Sequence, residues 1–131
     1  MADLSEEIES LFASYADAFN DFDGEAIADL FAYPTTIWQF GKGFVFDARE
    51  DLLENINALL SAFEDAGVVF SKVDFGSIQV GQNSCFAEVQ WSQENDAGEV
   101  IHDFDCEYML IKTNDEWAIA TVVNPTETSE D

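Results

Sequence analysis

Two runs of alternating apolar and polar positions follow each other between residues 85 and 113, on either side of one short polar turn. The turn is Asn95–Gly98, and a four-residue loop there pairs Trp91 with His102. Because side chains alternate across a strand, the apolar positions of both runs share one face. That face is aromatic and carries the only histidine, whereas the opposite face is acidic. The pattern therefore predicts a β-hairpin whose inner face lines a cavity.

In three segments before residue 68 the apolar positions recur with helical spacing. In the first of them they are Ile8, Leu11, Phe12, Tyr15 and Phe19. Pro34 ends the second predicted helix because proline lacks a backbone donor. Asp47 and Glu50 form a capping-box pattern before the third helix, and Gly67 is suited to its C-terminal end. The predicted helices are Leu4–Phe19, Glu25–Phe31 and Ala48–Ala66.

The remaining segments are rich in β-branched and aromatic residues and predict strands. The longest of them outside the hairpin is expected to bend near Gly76. An order of helices and short strands followed by four antiparallel strands indicates an α+β domain with helices on one face of the sheet. The predicted strands are Thr35–Phe40, Phe44–Phe46, Val69–Val80, Cys85–Glu94, Glu99–Thr113 and Glu116–Asn124.

Composition narrows the function classes. The chain has 131 residues and a net charge of −24, with four basic residues against 28 acids. We expect one domain over residues 1–125 and a disordered acidic tail over residues 126–131. The charge disfavours nucleic acids and membrane surfaces as partners, and the chain is expected to be cytoplasmic. Cys85 and Cys106 lack metal or redox spacing, and no metal or cofactor is expected.

Four segments resemble the NTF2-like superfamily, in particular its SnoaL-like and ketosteroid-isomerase-like branch. The segments are Tyr15–Asp23, Ala26–Phe31, Phe46–Leu52 and Glu116–Ile119. The likeness covers about residues 5 to 124. It implies a cone-shaped NTF2-like (cystatin-like) fold, with three N-terminal helices packed on a curved, mainly antiparallel sheet. It also implies a pocket at the open end and a homodimer formed through the convex sheet face.

The resemblance transfers unevenly to individual residues. Tyr15 falls where the isomerases keep a tyrosine that donates to a developing oxyanion. Gln39 falls near the position of their aspartate base, and a neutral amide cannot take a proton. His102 is the alternative acid or base, since histidine exchanges protons near neutral pH and some family members use an inward histidine.

The predicted site accordingly has His102 and Tyr15 as catalytic residues, with Trp38, Gln39, Phe40 and Trp91 as the ligand pocket. The expected ligand is a hydrophobic or aromatic small molecule, and the expected chemistry is cofactor-independent proton transfer of the isomerase, dehydratase or cyclase type. Two alternatives stay open. Both catalytic candidates could be ordinary core residues, and the domain could be a non-catalytic association module with a filled cone.

Overall fold

The computed structural model describes residues 4–39 and 41–124, which form three helices and one six-stranded sheet. None of the helices in this part of the chain is both long and apolar enough to cross a membrane. In chain order the elements are α1 (Leu4–Asn20), α2 (Gly24–Ala28), β1 (Phe31–Gln39), β2 (Lys42–Phe46), α3 (Arg49–Ala66), β3 (Phe70–Val80), β4 (Ser84–Glu94), β5 (Val100–Thr113) and β6 (Glu116–Val123).

Helix α1 buries one apolar stripe against the sheet, as its sequence predicts. The stripe recurs at intervals of three and four residues, which places its members on one side of a helix. Phe12 is fully buried, and its ring contacts Tyr15, Phe75 and Tyr108 edge-on. The buried members are Ile8, Leu11, Phe12, Tyr15 and Phe19. The stripe therefore fixes how α1 lies over the sheet, and it brings Tyr15 to the inner side.

The second helix is shorter than predicted. It ends at Ala28, and β1 already begins at Phe31 instead of Thr35. Phe31 pairs with Ile119 of β6, whose backbone N–H also donates to the Leu30 carbonyl at 2.9 Å. The residues from Phe31 onward pair with the sheet instead of extending α2, because helices of this length have little stability of their own.

Helix α3 follows β2, so the expected count of three N-terminal helices is not exact. The predicted capping box is also absent, since Ala48 occupies the N-cap position and makes no side-chain cap bond. Arg49 instead reaches back to α2, where its Nε donates to Asp29 Oδ1 at 2.7 Å. At the other end Gly67 has a φ of 88°, the left-handed conformation expected for it.

The sheet is mixed rather than uniformly antiparallel. Its strand order is β2-β1-β6-β5-β4-β3, and β1 pairs with β6 in parallel. A register shift between Phe75 and Ile78 confirms the bend predicted near Gly76. Such bulges add local twist, so the sheet curves around the helices.

The register of the β4–β5 hairpin differs from the prediction by two residues. Trp91 lies opposite Phe104, and His102 lies opposite Gln93. The loop is one residue longer than expected, since the Asn95 side chain accepts from the backbone of Glu99 and the backbone N–H of Asn95 bonds the Glu99 carbonyl. A bulge after Val100 adds the second residue. Two single-residue insertions shift the pairing by an even number of positions. The residues predicted to point inward therefore still do so, although each lies opposite a different residue of the other strand.

The outer face of the same hairpin carries opposed acids. The four-residue loop expected at Asn95–Gly98 would set Glu88 opposite Asp105. The observed register instead sets Glu88 opposite Glu107 and Asp105 opposite Gln90. Glu88 and Glu107 are both exposed. Like charges directly opposed across a ladder destabilise it.

We expect Glu107→Lys to stabilise the fold by roughly 0.5 kcal/mol at low salt, because an opposite-charge pair replaces a repulsive one. The midpoint of thermal unfolding, measured by circular dichroism, should rise in dilute buffer and change little in about 1 M salt, where charges are screened within about 3 Å. Glu116→Lys is the matched control, since Glu116 lies opposite Thr113 and makes the same change of charge. Equal effects of the two variants would attribute the gain to net charge and contradict the cross-strand explanation.

Candidate functional site

A cavity of about 820 Å³ lies between the inner face of the sheet and the helices α1 and α3. Its wall is formed mainly by aromatic and aliphatic side chains from both layers. Leucine and isoleucine side chains of α3 line the helical side of the cavity. The apolar lining includes Phe19, Phe31, Ile37, Leu52, Ile56, Leu59, Phe63, Trp91 and Phe104.

Tyr15, Tyr108 and Trp91 form a buried polar cluster in this wall. Trp91 Nε1 donates to the Tyr108 hydroxyl at 2.9 Å, and Tyr108 is in turn hydrogen-bonded to the Tyr15 hydroxyl. All three side chains are at most 6% exposed, and all three line the cavity. An indole can only donate, so the Tyr108 oxygen is the acceptor and its proton remains for a second partner. The cluster therefore holds two tyrosine hydroxyls in fixed positions on the cavity floor.

Burial keeps these hydroxyls protonated. Desolvation raises the pKa of Tyr15 and of Tyr108 above the ordinary value near 10, because an ionised phenolate loses its hydration in the interior. It also raises the pKa of the neighbouring Cys106 thiol to about 11. Because the Tyr108 proton is engaged within the cluster, the floor can offer the neutral O–H of Tyr15 to a ligand oxygen, and its cysteine is not a nucleophile at neutral pH.

His102 belongs to a second polar cluster, which crosses three strands. Its Nδ1 lies 2.9 Å from Gln93 Oε1, and Gln93 Nε2 donates to Ser71 Oγ at 3.3 Å. Ser71 is held by Asn20 at the end of α1, which accepts from the Ser71 N–H at 2.6 Å and donates to its carbonyl at 3.1 Å. Gln93 and Ser71 are buried, whereas His102 is half-buried. The histidine is therefore anchored from inside and open on its other side.

Aromatic rings separate the two clusters. Consecutive ring contacts run from Tyr15 to Phe19 at 5.1 Å, from Phe19 to Phe63 at 6.2 Å and from Phe63 to His102 at 6.3 Å. Tyr15 is buried and His102 is partly exposed, which places the hydroxyls at the floor and the imidazole towards the mouth. A ligand that contacts both must extend along this wall.

The cavity wall carries very little charge. Among the described residues that line it, Asp103 is the only charged one. Two of the four basic side chains are engaged elsewhere: Arg49 with Asp29 and Glu25, and Lys112 with Glu7. Within residues 4–39 and 41–124 no three histidine, cysteine or acidic side chains converge in an arrangement that could hold a metal ion.

The structure brings together three of the six residues expected at the site. Tyr15, Trp91 and His102 all line the cavity. Trp38 does not line it: its indole is 48% exposed and covers Gly43 of the neighbouring strand, while Ile37, one position earlier, points into the cavity.

The other two expected residues lie at the edge of what the structure describes. The backbone of Gln39 pairs with Lys42 at the end of β1, and its side chain lies outside the described part of the chain. Phe40 lies outside the described residues altogether. Their expected contribution to the pocket stays a prediction.

Gln93 is the functional candidate that the sequence analysis missed. The inward positions of β4 follow every second residue from Cys85 to Trp91, and Gln93 is the next member of the series. A polar amide at an inward position needs a hydrogen-bonding partner when it is buried. The alternation of β4 therefore indicates that Gln93 points inward. The predicted register, which differs by two residues from the observed one, does not place His102 opposite it.

Comparisons with known proteins agree with this architecture. A sequence model of the family described as NTF2-like protein (DUF6841) matches residues 5–127. A search of curated proteins found no match. An NTF-2 like protein of unknown function from Shewanella oneidensis MR-1 superposes with a TM-score of 0.73 at 14% identity, covering 92% of this chain and 98% of that one.

Two further solved structures carry functional descriptions of their own. A candidate dehydratase of the NTF2-like family from Streptomyces avermitilis has a TM-score of 0.66 at 12% identity, with 90% of this chain and 91% of that one covered. A candidate calcium/calmodulin dependent protein kinase II association domain from Xanthomonas campestris has a TM-score of 0.63 at 16% identity, with 93% and 88% covered. At these identities the likeness shows the fold alone.

The buried floor predicts alkaline instability. The unfolded chain releases the Cys106, Tyr15 and Tyr108 protons near their ordinary pKa values, whereas the folded chain holds them to higher pH. The free energy of unfolding should therefore be undiminished below about pH 8 and fall above it, by up to about 1.4 kcal/mol per pH unit for each group. Urea unfolding between about pH 7 and about pH 11 measures this slope.

Tyr108→Phe tests whether the loss of stability at alkaline pH comes from the buried groups of the cavity floor. It removes one of the three protons, so the slope should become shallower, while the unpartnered Trp91 N–H costs about 1 to 3 kcal/mol at neutral pH. Tyr33→Phe is the comparison. Burial raises the pKa of Tyr33 as well, but this residue is only partly shielded and donates to the Ala28 carbonyl away from the cavity, so its loss should change the slope less than that of Tyr108. A slope that Tyr108→Phe leaves unchanged would contradict the assignment.

Proposed function

Since this chain belongs to the family of NTF2-like proteins (DUF6841), we propose that it binds a neutral, lipophilic aromatic compound in its cavity, in the manner of SnoaL-like proteins. The observation that carries the proposal is the floor of the cavity, where two buried and protonated tyrosine hydroxyls face a wall of aromatic rings. A volume of about 820 Å³ lies within the range of roughly 300 to 1,000 Å³ usual for small-molecule sites.

Charge defines the ligand class. An anionic ligand would enter a chain of net charge −24 and find no basic side chain among the described lining residues. The cost of desolvating an unpaired anion is large, whereas a neutral carbonyl compound needs only a hydrogen-bond donor for its oxygen. Tyr15 supplies that donor, because burial holds its proton in place.

The same geometry supports proton transfer as the chemistry. His102 accepts a proton from an acidic carbon of the ligand, and the resulting negative charge moves to the ligand oxygen, which receives a hydrogen bond from Tyr15. Return of the proton to a different carbon completes an isomerisation. Alternatively, His102 gives the proton to a hydroxyl group on the adjacent carbon, whose C–O bond breaks as the enolate collapses, and water leaves to complete a dehydration. Because Tyr15 is linked to His102 through the ring contacts of Phe19 and Phe63, the proposed substrate has its acidic carbon conjugated with a distant oxygen.

The rival hypothesis, an association domain with a filled cone, fits the structure less well. A filled cone would leave no room for a cavity of this size. The outer face of the sheet does expose Phe86, but Glu88 and Glu107 lie beside it and would repel the same face of a second copy.

Prodan, a neutral naphthyl ketone whose fluorescence reports polarity, tests the ligand class. We expect it to bind with a blue-shifted emission and with energy transfer from tryptophan, of which Trp91 lines the cavity. Anilinonaphthalene sulfonate, an anion of similar size, should bind weakly. Tyr15→Phe should weaken prodan binding about five- to tenfold, the effect of one hydrogen bond. Fluorescence titration measures both affinities.

Tyr33→Phe is the matched control, because the Tyr33 hydroxyl lies outside the cavity and bonds the Ala28 carbonyl. Its prodan affinity should equal that of the unaltered chain. If the sulfonate binds as well as prodan, or if the two tyrosine variants behave alike, the proposed ligand class is wrong.

A further inference from the structure

We propose that Gln93 is a positioning residue that fixes His102 as a proton acceptor towards the cavity, with its hydrogen on Nδ1 and its lone pair on Nε2. The inference rests on the proposed function of the cavity and deepens it, since it defines which group of a ligand faces the mouth. Gln93 itself need not touch a ligand, because it acts through the imidazole.

The sheet register aligns the residues concerned. Ser71 of β3 is paired with Gln93 of β4, and Gln93 is paired with His102 of β5, so the three side chains lie side by side on the inner face. The bulge that follows Gln93 is what brings His102 opposite it. The Asn20 side chain hydrogen-bonds both the N–H and the carbonyl of Ser71. These bonds connect the three paired residues to the end of α1.

The amide then restricts the protonation of the ring. Gln93 Oε1 lies 2.9 Å from His102 Nδ1, and a carbonyl oxygen can only accept, so Nδ1 must carry a hydrogen. The amide nitrogen of Gln93 is occupied with Ser71 Oγ. Gln93 is 1% exposed, so water has little access to replace either bond. In the neutral ring Nε2 is consequently the acceptor that remains for a ligand.

The two ends of the cavity therefore have opposite hydrogen-bonding character. The floor offers the O–H donor of Tyr15, and the mouth offers a nitrogen lone pair. The ligand that matches both ends carries an acceptor oxygen deep in the cavity and an acidic C–H or O–H near the mouth. This defines a conjugated carbonyl compound with a remote acidic hydrogen as the substrate class.

Nitrogen NMR of protein grown with ¹⁵N-labelled histidine tests the assignment directly. His102 is the only histidine, so a single ring is observed, and the long-range couplings to the two carbon-bound ring protons tell the Nδ1 signal from the Nε2 signal. In the spectrum of the neutral ring, we expect Nδ1 to have the pyrrole-type shift and Nε2 the pyridine-type shift. The ratio should be about ten to one, as the preference of one hydrogen bond gives. The reverse pattern, or an even mixture, overturns the proposal.

Two variants distinguish positioning from simple packing. Gln93→Glu keeps an acceptor opposite Nδ1 and should retain the tautomer, whereas Gln93→Leu removes it and should give a mixture. Retention of the tautomer in Gln93→Leu contradicts the role of Gln93. If the leucine variant does not fold, the measurement on the unaltered chain still decides the question.

Prodan titration of the same samples separates this inference from the proposed function. Binding of prodan together with the reverse tautomer overturns the role of Gln93 and leaves the ligand class standing. The expected tautomer without prodan binding overturns the ligand class and leaves the positioning role standing.

Discussion

The phase of the side chains along β4 and β5 decides which groups reach the cavity. Every second residue of β4 points inward, from Cys85 through Trp91 to Gln93, and β5 supplies the opposing row. A shift by one residue would exchange this row for the acidic one outside, and the core would then have to bury carboxylates. The burial penalty for charge is so large that the phase is effectively fixed. The acidic side chains of the hairpin must face solvent, and the opposite, uncharged side chains therefore form the cavity wall.

Within that phase the register is still free to move by two residues, and this is where the local backbone matters. The Asn95 side chain organises the turn by accepting from two backbone N–H groups, those of Ala97 and Glu99. The bulge between Val100 and His102 supplies the second extra residue. Together they set His102 opposite Gln93 rather than Trp91. A polar neighbour thus replaces an aromatic one beside the histidine, with direct consequences for its hydrogen bonding.

The alternation of inward and outward residues could be predicted from the sequence, whereas the register between the strands could not. The stripe of α1, the left-handed end of α3 at Gly67 and the inner face of the hairpin follow from local periodicity and were predicted correctly. The extent of α2 and the register of β5 depend on pairing with distant strands, which local patterns do not contain. Trp38 was assigned to the pocket on its residue type, yet β1 turns Ile37 inward and leaves Trp38 outside.

The large negative charge of the chain and the small charge of the cavity wall follow from one constraint. Carboxylates keep their hydration only on the outer face and on the exposed sides of the helices, so the inner face is left with neutral polar groups. Tyr15, Tyr108, Gln93 and His102 are all of this kind, and each is satisfied by another of them or by Ser71 and Trp91. Neutral groups select a ligand through the direction of their hydrogen bonds, since they offer no opposite charge. The surface charge then adds selection against anions before a molecule reaches the mouth. In the proposed binding site, recognition consequently depends on the placement of a few protons, which the buried network determines.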